Sequence, residues 1–406
     1  MKRIWIINHY AEPPSRGKYL RHFYFAKKLI SRGYDVKIFT ASTIHNTEVN
    51  NTDGISPYIQ KNIEGVDFIF VRTSDYFGNG KARVKNILDY YFGVQKAVKD
   101  FGEVDVVYSS GPHPLSWLAA KKIAKRKNSK LIIETRDLWP ETFVAMGTMK
   151  KYNPIAIFLY ALEKNIYKAA DRLIFTFPGG SEYIEKIGLD SSKVAYVNNG
   201  IDLNEFNEKK KNIYEIEEYN NFRGFKAVFT GAIGRANNIE SIVKAAEILK
   251  SRDNPNIKIF IFGYGTEEEK LKKYVKDNDL DNIKFMGRVD KKYIPDILSK
   301  SDLNILTLGH MPELFKYGLS PNKLFEYFAS GKPTISNVEC GYDLLEKYGS
   351  GITVESEDPE KFADGILKFY NMSVDEYDKY CKNALKAAAD FDFEILTDRL
   401  IEIIEN

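Results

Sequence analysis

Short apolar runs alternate with longer amphipathic runs along the first half of the chain. Residues 3–8 and 35–40 are apolar and of strand length, and residues 17–32 between them carry the apolar spacing of a helix that ends at Gly33. Further strands are predicted at 66–71, 104–108, 130–134 and 172–177, and further helices at 84–101, 115–127 and 154–169. Such alternation is typical of consecutive βαβ units around a parallel sheet.

The alternation stops at residues 203–224 and then begins again. That stretch is rich in charged residues and Asn and has almost no apolar periodicity, as in a linker or a surface excursion. Strands are predicted after it at 225–230, 257–262, 283–286, 303–307 and 334–336, with helices at 238–250, 266–276, 291–299 and 321–330. We therefore predict an α/β protein with two doubly wound, Rossmann-like domains, at 1–202 and 203–390. A final helix at about 391–406 can pack back on the first domain.

Two loops at predicted strand ends have the composition of anion sites. Ligands of open parallel sheets bind at the carboxyl ends of the strands, and with two such domains the expected site is the cleft between them. Gly17 opens the first helix between Arg16 and Lys18, and Gly231 begins the loop GAIGRANN, in which Arg235 offers a fork for phosphate oxygens. Each loop can equally be an ordinary strand-to-helix turn.

The run GLSPNKLFEYFASGKP at 318–333 carries the strongest signal. Pro321 suits the first turn of a helix that ends at Gly331, and its apolar stripe leaves Lys323 and Glu326 together on another face. A cation near a helix N-terminus opposes the helix dipole, so a bound phosphate accounts for Lys323 better than a structural role does. Glu326 can accept hydrogen bonds from ribose hydroxyls. The alternative is a solvated ion pair between the two side chains.

Charge is divided unevenly along the chain. Residues 1–200 contain 30 Lys and Arg against 19 Asp and Glu, and the remainder contains 29 against 37, so the halves carry +11 and −8 although the whole chain carries +3. A basic first half favours an anionic partner such as phospholipid headgroups, a lipid phosphate or nucleic acid. The near-neutral total argues against a dedicated nucleic-acid binder. A solvated basic surface without a partner is the alternative.

Cysteine content and hydropathy indicate the compartment. Cys340 and Cys381 cannot build a disulfide framework and lie in no Cys/His cluster, and no apolar run approaches the roughly 18 to 20 residues of a membrane span. We expect a cytoplasmic protein that neither spans a bilayer nor is exported. Residues 81–101 mix basic residues with Tyr90, Tyr91 and Phe92 on a helical pattern. This helix either lies on the inner face of the cell membrane or packs in the core with one wet face.

These motifs, taken with NGID at 199–202, IFGYG at 261–265, NIKFMGRV at 282–289 and RDLWPE at 136–141, resemble the family 4 glycosyltransferases of the GT-B fold. GAIGRANN with SPNKLFEY is similar to members that build bacterial surface polysaccharides, such as L-fucosamine transferases. The resemblance covers nearly the whole chain in order. It implies an acceptor-side domain followed by a nucleotide-sugar domain, facing a central cleft. The implied reaction is retaining transfer from a nucleoside diphosphate sugar, with UDP expected as the nucleotide, to a lipid-linked glycan.

The resemblance and the loop chemistry together give a set of site residues. The diphosphate is assigned to Lys323, Arg235 and the Gly17 loop, the ribose to Glu326, and the base to the Gly263 and Arg288 loops. Donor-binding residues are thus Gly17, Gly231, Arg235, Gly263, Arg288, Asn322, Lys323, Leu324 and Glu326.

Two polar residues at predicted strand ends of the first domain are catalytic candidates. His113 lies in the loop GPHP, where some relatives place a histidine near the donor sugar; the alternative is a loop histidine without a ligand. Asp137 either orients the acceptor or caps the following turn.

The chain also departs from the family pattern. Gly318 stands where many members carry the first acid of a Glu-x7-Glu motif, and Ala232 and Asn237 replace an Arg and a Lys of the glycine loop. A nucleotide-sugar 2-epimerase and a non-catalytic transferase-like subunit therefore stay open as alternatives. Asp-x-Asp occurs at 277–279, 279–281 and 390–392, each at a predicted helix end, so we expect neither an essential metal nor a cofactor.

Overall fold

The structure, a computed structural model, describes residues 1–15, 19–45, 47–78, 80–111, 113–252 and 256–406. The chain forms two compact units. The first contains Met1–Asn198 and Phe393–Asn406, and the second contains Asn199–Asp392. The chain thus passes from the first unit to the second at 198/199, four residues before the expected position at 202/203, and its last fourteen residues return to the first unit.

The first unit is built on an eight-stranded sheet. Its strands are β1 (Arg3–Ile7), β2 (Asp35–Ala41), β3 (Tyr58–Ile63), β4 (Val66–Val71), β5 (Val106–Ser110), β6 (Lys130–Thr135), β7 (Arg172–Phe175) and β8 (Val194–Tyr196). The order across the sheet is β3-β4-β2-β1-β5-β6-β7-β8, and every pair is parallel except β3 with β4. The strand order reverses between β1 and β5, which is the place where open sheets bind ligands.

Six helices of the first unit follow these strands. They are α1 (Arg21–Ser31), α2 (Lys81–Ala97), α3 (Pro114–Lys127), α4 (Glu141–Ala145), α5 (Pro154–Ala169) and α6 (Gly180–Lys186). In α1 the spacing of Phe23, Ala26 and Leu29 puts three buried side chains on one face, which covers the sheet at β2. The sheet and these helix faces bury the apolar positions from which the elements were predicted.

The second unit contains a six-stranded, all-parallel sheet. Its strands are β9 (Phe225–Thr230), β10 (Ile257–Phe262), β11 (Ile283–Gly287), β12 (Leu303–Leu306), β13 (Thr334–Ser336) and β14 (Gly351–Thr353), in the order β11-β10-β9-β12-β13-β14. Its core includes Phe229, Ile259 and Ile305, all fully buried. The switch point lies between β9 and β12. The predicted α/β class with two Rossmann-like sheets is confirmed.

The helices of the second unit lie between and after these strands. They are α7 (Leu203–Lys209), α8 (Glu217–Asn221), α9 (Ile239–Ser251), α10 (Glu268–Asp277), α11 (Ile294–Ser299), α12 (Pro312–Phe315), α13 (Asn322–Ala329), α14 (Leu344–Tyr348), α15 (Pro359–Tyr370) and α16 (Val374–Asp390). The last helix, α17 (Phe393–Glu405), packs against α1 of the first unit. In the described residues, no helix combines the length and the apolar character needed to cross a bilayer.

The interpretation of residues 203–224 as a linker is wrong. This stretch contains α7 and α8, which belong to the second unit. Each of these helices buries a single side chain, Phe206 in α7 and Tyr219 in α8, and the Tyr219 hydroxyl donates a 2.7 Å hydrogen bond to the carbonyl oxygen of Ile297. One buried position per helix produces no apolar period, which is why the pattern predicted neither helix.

Candidate functional site

Three predicted loops of the second unit meet at the carboxyl edge of its sheet. Gly231, Gly263 and Arg288 follow the adjacent strands β9, β10 and β11. The Gly231 N–H donates to the Phe262 carbonyl at 2.9 Å, and the Gly263 N–H donates to the Gly287 carbonyl at 2.8 Å. A Cβ on Gly263 would lie 1.7 Å from the Gly231 carbonyl oxygen, so only glycine fits there. The two backbones therefore form one closely packed floor at this edge.

Lys323 lies over that floor, on the second residue of α13. Its Nζ donates a 2.9 Å hydrogen bond to Asn237 Oδ1 and lies 4.2 Å from the centre of the Phe229 ring. Asn237 Nδ2 donates to the Ala232 carbonyl at 2.9 Å, which turns the amide oxygen towards the lysine. Burial lowers the pKa of Lys323 to about 7, against a smaller opposing effect of Glu326.

The loop conformation at Gly231 is matched to this lysine. Gly231 has a φ of +146°, and a Cβ there would lie 2.9 Å from Lys323 Nζ. Among the ion pairs of the described residues none includes Lys323, whose partners are an amide oxygen and an aromatic ring. Among the described residues Lys323 thus forms no ion pair, and it stands at the switch point of the sheet beside the N–H groups at the start of α13.

Glu326 and Arg235 have partners of their own. Glu326 lies one turn after Lys323, and its Oε1 is 3.8 Å from Lys291 Nζ. Arg235 lies in the short turn Arg235–Asn237, so its loop reaches Lys323 through Asn237, but its side chain is 92% exposed and its Nε lies 3.5 Å from Glu267 Oε1. In this structure the guanidinium is therefore directed to solvent and Glu267 rather than to the lysine.

The two predicted residues next to Lys323 in the SPNKLFEY run have different surroundings. Asn322 is exposed as the first residue of α13. The Leu324 side chain is buried in the hydrophobic interior, and its N–H donates to the Pro321 carbonyl at 3.0 Å. Its side chain thus belongs to the stripe that anchors α13, and the assignment of Leu324 to donor binding stays a prediction.

The loop before α13 is held by a residue that the sequence did not single out for a role. The Asn199 N–H donates to Ser320 Oγ at 2.9 Å, and Asn199 Nδ2 donates to the Ser320 carbonyl at 2.6 Å. Pro321 occupies the N-cap position of α13, where no side chain caps the helix. Gly318 has a φ of +92°, a region that glutamate rarely adopts, so the backbone itself favours glycine where relatives carry an acid.

In the first unit, His113 and Asp137 follow the neighbouring parallel strands β5 and β6. His113 is buried and stands immediately before α3. Asp137 is exposed two residues after β6. The third predicted position of this unit, Gly17, lies outside the described residues.

His113 belongs to a buried chain of hydrogen bonds that starts at α2. Its Nε2 lies 2.7 Å from His9 Nδ1, and His9 Nε2 lies 2.7 Å from Asn86 Oδ1. His9 follows β1, so the two histidines meet at the switch point of the first sheet. The His9 ring is stacked between Tyr10 and Tyr90, with ring centres 4.3 and 4.6 Å away. The imidazole of His9 is therefore held in one orientation.

This chain of hydrogen bonds determines the tautomers of both histidines. Asn86 Nδ2 donates to Thr43 Oγ1 and to the Ser74 carbonyl, so Asn86 Oδ1 faces His9 as an acceptor. Burial lowers the pKa of His9 well below its usual value and that of His113 to about 3, so both rings are neutral. His9 must then carry its proton on Nε2 and His113 on Nε2.

That assignment leaves His113 Nδ1 as a lone-pair acceptor. This atom is buried and has no hydrogen-bond partner in the part of the chain that the structure describes. An unpaired buried acceptor costs free energy unless a ligand satisfies it. Sequence reasoning missed His9 and Asn86; the position of His9 directly after β1 was the one signal available.

No group of three or more His, Cys, Asp or Glu residues that could hold a metal ion occurs among the described residues. In the Asp-x-Asp motifs, Asp277 and Asp390 are the last residues of α10 and α16. Asp392 Oδ2 accepts a 3.1 Å hydrogen bond from the Leu203 N–H. Independence from metals and cofactors stays a prediction.

The fold and the site together define an α/β protein of two Rossmann-like units with a cation at the switch point of the second sheet. Residues 22–205 match the family described as Glycosyltransferase Family 4, and residues 211–387 match Glycosyl transferases group 1. The chain belongs to the family 4 glycosyltransferases of the GT-B fold, which confirms the family predicted from the motifs.

Curated relatives carry the same class name. A probable glycosyltransferase, WbjE of Pseudomonas aeruginosa, is 24% identical over 265 residues, which are 64% of this chain and 64% of that protein. The uncharacterized glycosyltransferase MJ1069 of Methanocaldococcus jannaschii is 23% identical over 227 residues, which are 55% of this chain and 56% of that protein. The matches thus span less than two thirds of either relative.

Solved structures agree in fold. Sucrose-phosphate synthase (tll1590) from Thermosynechococcus elongatus has a TM-score of 0.74 at 15% identity, with 100% of this chain and 98% of that chain covered. Anabaena Alr3699/HepE in complex with UDP has a TM-score of 0.70 at 14% identity, with both chains fully covered. WaaG, a glycosyltransferase involved in lipopolysaccharide biosynthesis, has a TM-score of 0.68 at 14% identity, with 99% of each chain covered. At these identities the likeness concerns the fold alone.

Proposed function

We propose that this protein transfers a sugar from a UDP-sugar to a lipid-linked glycan during synthesis of a bacterial surface polysaccharide, with retention of anomeric configuration. The observation that carries the proposal is Lys323, a lysine whose hydrogen-bond and ring partners are neutral, above a glycine floor at the switch point of the second sheet. A diphosphate supplies the negative charge that this position lacks.

The chemistry requires such a group. When the bond between the anomeric carbon and the diphosphate oxygen breaks, negative charge develops on the leaving phosphate, and its stabilisation is the main task of the protein. Lys323 and the first N–H groups of α13 can provide that stabilisation. The acceptor hydroxyl bonds to the anomeric carbon on the same face, and its proton passes to the leaving phosphate oxygen, so no side-chain base is needed.

The other parts of the donor are assigned to the surrounding loops. Glu326 is assigned to the ribose hydroxyls, because it lies one turn from Lys323. The exposed Tyr264 ring, with the Arg288 guanidinium 5.1 Å from its centre, offers a flat surface for the base. HepE was solved with UDP and with UDP-glucose, which supports UDP as the nucleotide. WaaG is described as part of lipopolysaccharide biosynthesis, which supports a glycan acceptor on lipid.

In the first unit, His113 is assigned to a sugar hydroxyl. Its Nδ1 is an acceptor without a partner among the described residues, so it would accept a hydrogen bond from the hydroxyl rather than donate one. Asp137, exposed at the end of β6, is assigned to orientation of the acceptor. Gly17 is assigned to the diphosphate on the grounds of the sequence only.

The proposal is tested by incubating the protein with UDP-sugars labelled in the sugar and a bacterial lipid extract. We expect label in the lipid fraction and release of UDP. An isomerised donor without label on lipid would contradict transfer and favour an epimerase. Donor binding without turnover, in the presence of the lipid extract, would favour a non-catalytic subunit.

Donor affinity is expected to depend on pH through Lys323. In the protein without donor, Lys323 has a pKa of about 7, and a bound diphosphate raises this pKa because it favours the charged form. Affinity is therefore highest below pH 7 and falls by up to about tenfold per pH unit above it, until the pKa of the complex is reached.

Calorimetric titration with a UDP-sugar between about pH 6 and 9 measures this profile, because the diphosphate diester does not titrate there. In the Lys323→Met variant the slope should disappear. A wild-type affinity that stays flat across this range would contradict the assignment of Lys323 to the diphosphate.

A further inference from the structure

Three helices of the first unit form one continuous outer face. Helix α3 lies between α2 and α5: Lys122 Nζ donates to the Tyr91 hydroxyl of α2, and Lys121 Nζ donates to Asn165 of α5. The Trp117 ring of α3 also packs against Tyr167 of α5, with 5.7 Å between the ring centres. We call the outer surface of α2, α3 and α5 the three-helix face.

The three-helix face is strongly basic. Helices α2, α3 and α5 carry four, five and two Lys or Arg residues, against one acidic residue in α2, none in α3 and one in α5. Neither acid is exposed: Asp89 accepts from the Ser74 N–H at 3.0 Å, and Glu163 is buried and accepts from the Tyr183 hydroxyl at 2.8 Å. The positive charge of the first half of the chain is thus concentrated here without compensating carboxylates on the same helices.

The same face exposes large apolar side chains in order. On α2, Val84, Leu88 and Phe92 recur every fourth residue and are 58%, 41% and 58% exposed. On α5, Ile155 and Phe158 are 60% and 64% exposed. The sequence left open whether this helix lies on a membrane or packs in the core. In the structure Tyr90 and Tyr91 of α2 are buried in the core, while Val84, Leu88 and Phe92 are exposed.

The geometry points to the three-helix face as a docking surface for an anionic phospholipid bilayer. Apolar side chains surrounded by lysines suit the boundary between headgroups and acyl chains, because the apolar groups enter the hydrocarbon while the ammonium groups reach the phosphates. A second copy of the chain would bring two equally basic faces together and is disfavoured by repulsion. A nucleic acid would contact the lysines but would leave the aliphatic Val84, Leu88 and Ile155 exposed to water.

The position of the three-helix face would give bilayer binding a role in acceptor delivery. Helix α3 begins at the residue after His113, so the three-helix face starts at the edge of the sheet that carries the candidate site of the first unit. A bound bilayer would bring a lipid-linked acceptor to that edge. This use rests on the proposed function, whereas the binding itself does not.

Vesicle co-sedimentation tests the docking surface with the full chain. We expect binding to vesicles of phosphatidylcholine with about one third phosphatidylglycerol, and at least tenfold weaker binding to phosphatidylcholine alone. The variant Val84→Ser/Leu88→Ser/Phe92→Ser should lose at least tenfold in affinity, and Lys81→Gln/Lys85→Gln/Lys125→Gln should lose the preference for anionic vesicles.

Two matched controls lie on the second unit. Val374→Ser removes an exposed apolar side chain and Lys273→Gln removes an exposed lysine, and neither should change vesicle binding. Failure of the wild type to bind anionic vesicles, or equal binding by the α2 variant, would overturn the proposal. So would self-association that the same variant abolishes in the absence of vesicle binding. UDP binding, measured in parallel, reports on the proposed function independently of the vesicles.

Discussion

Lys323→Met is expected to weaken UDP binding by at least tenfold, about 1.4 kcal/mol, without lowering thermal stability. Methionine keeps the approximate length of the side chain and its packing on Phe229, but it removes the amino group that can carry a positive charge. The affinity loss arises because the diphosphate then has no ammonium partner at the switch point. Isothermal titration calorimetry gives the affinity, and a thermal melt gives the stability.

The sign of the stability effect follows from the pKa. The folded state holds Lys323 at a pKa of about 7, below the ordinary value near 10.4, so folding is penalised at pH values where the lysine is charged in the unfolded chain. Removing the charge therefore leaves the melting temperature unchanged or raises it. Lys270→Met, an exposed lysine of α10 that pairs with Glu240, is the control and should bind UDP as the wild type does. Equal UDP affinity of the Lys323 variant would remove this residue from the site.

The second large effect is expected at the histidine pair. His113→Ala should lower kcat by about tenfold to a hundredfold, or about 1.4 to 2.7 kcal/mol, because the acceptor Nδ1 no longer reaches a hydroxyl of the reacting sugar. UDP affinity should stay unchanged, because His113 is assigned to the sugar and not to the nucleotide. A steady-state assay with separate kcat and KM, together with UDP titration, measures both.

His9→Phe separates positioning from contact. Phenylalanine keeps the stack between Tyr10 and Tyr90 but removes the acceptor for the His113 Nε2 proton. The His113 proton can then move to Nδ1, which turns the free atom from an acceptor into a donor. We expect a loss in kcat similar to that of His113→Ala, and no further loss in the double variant. Additive losses, or a drop in UDP affinity, would contradict a shared role at the sugar.

Much of the fold could be predicted because buried strands and amphipathic helices leave a period in the sequence. Parallel strands with neighbours on both sides, such as Arg3–Ile7 and Ile257–Phe262, are nearly continuous apolar runs. Strand β3 was missed because it is an edge strand in which no residue is buried and the middle residues, QKN, are polar and exposed. Helices α7 and α8 were missed because each buries only one side chain.

For the site residues too, only features that neighbouring residues share could be predicted from the sequence. Lys323 was predicted because a cation at a helix start conflicts with the local dipole, and such a conflict is visible in a run of neighbouring residues. Its partner Asn237 lies 86 positions away in the chain, and the mutual fit of Gly231 and Gly263 depends on two different strands, so neither could be read from spacing. Adjacent helical positions point in different directions, so the run alone did not show that the Leu324 side chain lies in the hydrophobic interior.

The amino-acid sequence by itself determined the class: two sheets of mainly parallel strands, a basic first half, and a lysine in the first turn of a helix at the mouth of the second sheet. Only the tertiary structure decided which groups are paired and which are left unpaired. His9 and His113 are 104 residues apart, and their contact leaves one nitrogen as an acceptor. The charges of α2, α3 and α5 become one surface only when the helices pack side by side. Period and local charge are properties of neighbours in the chain, whereas tautomers, burial and continuous surfaces depend on residues that folding brings together.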